Sequence, residues 1–326
     1  MHRRLALVTA LALAAVVPFA GCTPRTESQP FGTGGGVKVA VSFPALYSLA
    51  ANVVGDTGTV RSVKSTQGAH GSEVTRDELE VINAADLLFI NGLGLDNEFA
   101  KKLRESSSNP TVQVVALGDI MGKKKHGLLL HSEGPCLEGE EEHEHDGHDP
   151  HVWMGLPQVI FFVDTIAKEL SDRYPQHKDT FLANAEQYKD RLKAIKAEGD
   201  KALEGTPPES RNIVTVHGSM AYFAKTFKIT VVDTIQKAAG KEPTQKQLDD
   251  LLAKCKKENV RVIASEPQFS KLGGVKTLAE ELKRVGVTPT VIELDNLEAA
   301  TADALKPDWY EVKMRANIAA LKDAFK

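Results

Sequence analysis

The chain has 326 residues, 42% hydrophobic and 26% charged, with a formal net charge of −4. That is enough for a sizeable core and about two domains. A mildly acidic balance, 6% aromatic residues and no basic stripe argue against nucleic acid as a partner.

Arg3 and Arg4 precede an apolar run from Leu5 to Val17. The run is too short to cross a bilayer and long enough for the core of a signal peptide, so residues 1–21 are read as one. Phe19-Ala20-Gly21-Cys22 resembles a bacterial lipobox with Cys22 as the acylated residue. Residues 22–36 carry the lipidated Cys and a Pro/Ser/Gly tether. Gly34-Gly35-Gly36 lacks the Lys-Ser/Thr of a phosphate loop. A periplasmic or cell-surface lipoprotein is expected, held to the membrane by its anchor and monomeric. Cys255 shares a helical face with Leu248, Leu251 and Leu252 and reads as a core thiol, so a bridge to Cys136 is not expected.

The body alternates strands and helices. Strands are predicted at Val37–Phe43, Thr59–Ser65, Asp86–Asn91 and Val112–Leu117. Between them lie helices opened by Pro44, by a Thr75/Glu78 capping box and at Asn97. A loop follows, most of it over about 123–149, a length that implies function or disorder. Pro157–Tyr174 is helical, Pro175 breaks it, and Gln176–Leu203 has the spacing of one long helix. The second half repeats the pattern, with strands at Asn212–His217, Ile229–Asp233, Val260–Ser265 and Thr290–Asp295. Helices lie between them and at Asp308–Phe325. This predicts an α/β protein of two lobes, 37–174 and 205–326, each a mostly parallel sheet with helices on both faces. One rigid helix over 175–204 joins them.

Six of the ten histidines fall between His126 and His151. In EGEEEHEHDGHDPHVW, His143, His145 and His148 sit among carboxylates, a composition suited to a weakly held dication. His151 stands where the low complexity ends. Ligands of open α/β sheets bind beyond the carboxyl ends of strands. His70, His151, His217 and Asp295 all lie at such places, two from each lobe, and three imidazoles with one carboxylate suit zinc. A zinc hydrolase of the envelope is the competing class. Its motifs are incomplete here: His143-Glu144 has Gly147 where H-E-x-x-H needs its second histidine, and the acid of an H-x-H-x-D-H motif is displaced to Asp146.

Spaced stretches resemble one known family, the metal-specific solute-binding proteins of ABC transporters that deliver zinc or manganese. They are Gly68-Ala69-His70 with Glu73-Val74-Thr75, Asn91-Gly92-Leu93-Gly94-Leu95-Asp96, Asp149-Pro150-His151-Val152-Trp153, Val216-His217 with Tyr222-Phe223-Ala224-Lys225, Glu242-Pro243-Thr244, Glu266-Pro267-Gln268-Phe269-Ser270 and Glu293-Leu294-Asp295. The similarity runs from about Val37 to Lys326. It implies a non-enzymatic protein whose ligands are His70, His151, His217 and Asp295, with a membrane permease as partner. Asn296 and Ala69 stand where members often have proline. Manganese-type members tend to carry a carboxylate at the place of His217, so the imidazole there implies Zn²⁺, with Mn²⁺ or an adhesin of the same fold as alternatives. Loop histidines His143, His145 and His148 would hold a second, weaker ion. Affinity is expected to fall as the pH drops through roughly 6.

Overall fold

Alternation along short strands sets the layers. In β1 (Val37–Val41) the residues Val37, Val39 and Val41 face one core cluster and Ala40 the opposite one. In β3 (Leu87–Ile90), Leu87 and Phe89 go inward while Leu88 and Ile90 go outward. The period of two in side-chain direction thus gives each sheet two apolar faces, as parallel sheets require. The computed structural model describes residues 31, 36–64, 68, 73–131, 147–237, 241–269 and 273–326.

With β2 (Gly58–Ser62) and β4 (Gln113–Ala116), these strands form a parallel sheet of order β2-β1-β3-β4. The second sheet has the same form. It contains β5 (Asn212–Thr215), β6 (Thr230–Thr234), β7 (Val262–Ser265) and β8 (Thr290–Glu293), in the order β6-β5-β7-β8. Helices α2 (Arg76–Ala84) and α3 (Asn97–Ser106) cover the outer face of the first sheet, and α8 (Gln245–Lys257) and α9 (Gly274–Arg284) that of the second. Between the inner faces lie α1 (Pro44–Val54), α5 (Leu156–Arg173), α6 (Lys178–Leu203), α7 (Ala221–Phe227) and α10 (Trp309–Ala324), whose buried residues belong to one continuous cluster.

The helix starts follow from side-chain chemistry. Pro44 opens α1, and reciprocal capping boxes open α2 (Thr75 with Glu78) and α8 (Thr244 with Gln247). Helix α6 has 26 residues and is about 39 Å long at 1.5 Å per residue. Its buried stripe runs Phe181, Ala185, Tyr188, Leu192, Ile195, Gly199, Leu203. It begins at Lys178, after a 3₁₀ turn at Pro175–His177. Residues Leu117–Lys124 form a further helix, α4, where the sequence reading had placed the start of the long loop. LGDIMGKK, with two glycines, has little helical propensity. Burial of Leu117 and Met121 stabilises it. The last helix also reaches back to the first lobe: Ser48 of α1 donates to the Lys306 carbonyl at 3.3 Å and accepts from the Tyr310 N–H at 3.1 Å. Cys255 is a buried free thiol; Cys136 lies outside the described residues.

Candidate metal-binding site

His151 and His217 reach the site on different supports built to the same plan. His151 stands directly before a 3₁₀ turn at Val152–Met154. One oxygen of Asp149, Oδ1, accepts from its backbone N–H and lies 2.8 Å from its Nδ1. His217 stands just past β5. Its backbone N–H and Nδ1 both meet Glu266 Oε1, at 3.2 and 3.0 Å, and Nδ1 is 2.8 Å from Oε2. In the neutral imidazole, a carboxylate on Nδ1 fixes the tautomer in which Nδ1 donates and Nε2 carries the lone pair. Both Nε2 atoms turn toward one carboxylate, Glu298, whose Oε1 lies 3.6 Å from His217 and 3.9 Å from His151. Among the described residues, the ligand atoms of His151, His217 and Glu298 lie within 4.8 Å of one another, and all three residues are buried. Two ligands of a tetrahedral zinc with bonds near 2.05 Å stand roughly 3.3 Å apart, so small shifts would close this set on an ion.

Glu298 arrives there through an uncommon turn. Asp295 Oδ1 accepts from the Leu297 N–H at 2.8 Å, and Leu297 takes a left-handed φ of +62°. A leucine in that region is strained and held by its surroundings. Asn296 supplies much of the hold. Its Nδ2 donates to Glu266 at 3.0 Å, its Oδ1 accepts from the Glu298 N–H at 3.2 Å and from Gln268, and its carbonyl accepts from the Trp153 indole at 2.7 Å. Proline at this position would have no side-chain amide for the first three contacts.

Asp295, expected as the carboxylate ligand, is differently engaged. Its Oδ2 pairs with Lys313 at 2.7 Å while Oδ1 holds the turn. Oδ1 thus shapes the turn that presents Glu298, and Oδ2 is taken up by Lys313. His70 lies outside the described residues, but the chain beside it is informative. Gly68 has φ +73°, and a Cβ there would meet Glu298 Oε2 at 3.3 Å, so Gly68 itself lies beside the site. Buried Lys64 holds the two ends of that segment together, bonding the Glu73 carbonyl at 3.2 Å and Glu78 at 3.3 Å.

Of the loop histidines, His143 and His145 lie outside the described residues, as does Cys22. His148 is buried and forms an antiparallel bridge with His131, ring centroids 5.0 Å apart. The sequence reading gave no role to Glu298, Glu266, His131 or Asn296. Glu266 stood in a recognisable stretch, whereas Glu298 is three residues beyond the last strand-end acid with no motif around it.

Burial pulls the His217 pKa down, but hydrogen bonds and charge from Glu266 and Glu298 outweigh it and raise the value to about 10. In the metal-free protein a proton therefore sits on His217, between two carboxylates, where a dication would be favoured for the same reason.

The family model for the periplasmic zinc-uptake complex component A matches residues 39–324. The iron-binding protein YfeA of Yersinia pestis is 26% identical over 316 residues, covering 92% of this chain and 94% of its own. The manganese ABC transporter substrate-binding lipoprotein PsaA of Streptococcus pneumoniae is also 26% identical, covering 79% and 80%. Among solved structures, the solute-binding protein FpvC of Pseudomonas aeruginosa in complex with Mn²⁺ superposes with a TM-score of 0.75 at 25% identity, covering 89% of this chain and 99% of that one. With two buried imidazoles converging on one carboxylate between two matching sheets, the chain belongs to the zinc-uptake component A family, the metal-binding substrate-binding proteins of ABC transporters.

Proposed function

We propose that the protein captures Zn²⁺ outside the cytoplasm and delivers it to a membrane permease. The ligands are His151, His217 and Glu298, with His70 completing the set. The observation that carries this is the convergence of two oriented Nε2 atoms on Glu298. A nitrogen-rich set favours zinc, because manganese prefers oxygen donors. The relatives' names include iron and manganese, so the cargo must be measured. Those relatives are binding proteins, which supports capture over hydrolysis. Lipidation at Cys22 and a monomeric state complete the reading.

Metal-stripped protein is offered equal Zn²⁺, Mn²⁺ and Fe²⁺, desalted, and its retained ions counted by elemental analysis. About one tightly held zinc is expected, lost in His217→Ala and in Glu298→Gln and kept in Asp295→Asn. Retained manganese or iron would change the cargo. Loss in Asp295→Asn with retention in Glu298→Gln would return the carboxylate role to Asp295. The loop is proposed to hold a second, weaker ion through His148 with His143 and His145, His131 standing beside it. Deleting Glu138 to Gly147 then lowers stoichiometry and leaves the tight site.

A further inference from the structure

Tyr222 lies in α7, five residues after His217, with its ring buried. Its hydroxyl donates to the Asp149 carbonyl at 2.8 Å and accepts from the Leu130 N–H at 3.0 Å. The Asp149 N–H donates directly to the Leu130 carbonyl at 2.9 Å. Facing residues of an antiparallel hydrogen-bonded pair exchange two direct bonds. Here one bond is direct and a phenol from the other lobe is inserted into the second. The next pair outward is the His131–His148 bridge.

Asp149 is therefore gripped by its main chain and used by its side chain. The same residue whose carbonyl takes the Tyr222 hydroxyl offers Oδ1 to the N–H and Nδ1 of His151. Replacing the phenol by phenyl leaves two choices. Leu130 and Asp149 close up into a direct bond, or a buried N–H and C=O lose their partner, which costs about 1–3 kcal/mol. In both cases the acceptor behind His151 moves or loosens.

We propose that Tyr222 is a positioning residue for metal capture, acting through Asp149 to hold the His151 imidazole in its ligating orientation. This rests on His151 being a ligand. It makes a second-lobe residue responsible for the aim of a ligand carried on the first lobe.

Zinc affinity is measured by competition with a chromogenic chelator for the parent, Tyr222→Phe, Asp149→Ala and the double variant, with melting temperatures recorded for all. Loss of a group behind a ligand costs about 10–100-fold in affinity, the drop expected for Tyr222→Phe. In the Asp149→Ala background the same change should alter affinity by less than about twofold, because residues that act through one another are not additive. Asn109→Ala removes side-chain bonds to the Ile82 and Ala85 carbonyls, at 3.1 and 2.8 Å, ahead of β4 and away from the site. It should lower the melting temperature and leave zinc affinity as it was. If Asp149→Ala does not fold, Asp149→Asn takes its place in the cycle. Unchanged affinity in Tyr222→Phe, or the same loss in both backgrounds, overturns the proposal while the site reading stands. A parent that holds no zinc overturns both.

Discussion

Each site histidine has a carboxylate behind it, Asp149 for His151 and Glu266 for His217. Glu266 is buried beside a histidine that also faces Glu298, and together they lift His217 to about 10 from 6.5. Because the folded value lies above the unfolded one, this contribution to the stability of the metal-free fold is complete below 6.5 and is lost as the pH rises through about 10. Metal ligation has the opposite dependence, since zinc needs the neutral nitrogen. Calorimetry near neutral pH in buffers of different ionisation enthalpy should show about one proton released per zinc bound, and affinity should keep rising with pH well above 7. Binding without proton release would mean that His217 either starts neutral or is not a ligand. The sequence made His217 and His151 legible, because a histidine at a strand end or at the close of a low-complexity tract stands out. It could not show that Asp295 would pair with Lys313 and the Leu297 N–H, nor that a left-handed leucine would bring Glu298 inward. Those depend on contacts from α10 and on a turn that no residue pattern announces.

Among the elements, the strands and most helices were readable to within a few residues, since the period-two and helical patterns are strong and the Thr75/Glu78 capping box was spelled out in sequence. Helix α4 was not, because its formation rests on where Leu117 and Met121 are buried and not on propensity. The meeting of α6 with α7 is likewise invisible in sequence. Gly199 lies inside α6, where alanine would ordinarily stabilise by roughly 0.5–1 kcal/mol. A Cβ at Gly199 would overlap the Phe227 ring, itself buried and packed on Phe223 with centroids 4.9 Å apart. Overpacking of that kind costs about 1–3 kcal/mol and outweighs the helix gain. Gly199→Ala should therefore lower the urea midpoint; a rise would show that the two helices are not in contact there.

At the level of the whole molecule, one apolar cluster runs from β1 through the central helices to β7 and α10, so the lobes share their core. Calorimetric melting of the metal-free protein should give a single transition, and two well-separated transitions would show that the lobes are energetically independent. Zinc at 100 times its dissociation constant should add about 2.7 kcal/mol and move that transition upward as a unit.

The return of the C-terminal helix to α1 has a consequence for synthesis. The bonds from Ser48 to Lys306 and Tyr310 join positions separated by 258 and 262 residues. Contacts so distant in sequence make folding slow. The packing against α1 cannot be finished until Tyr310 has been made. Until then the chain is an incomplete fold, its α1 still without the partner that completes it.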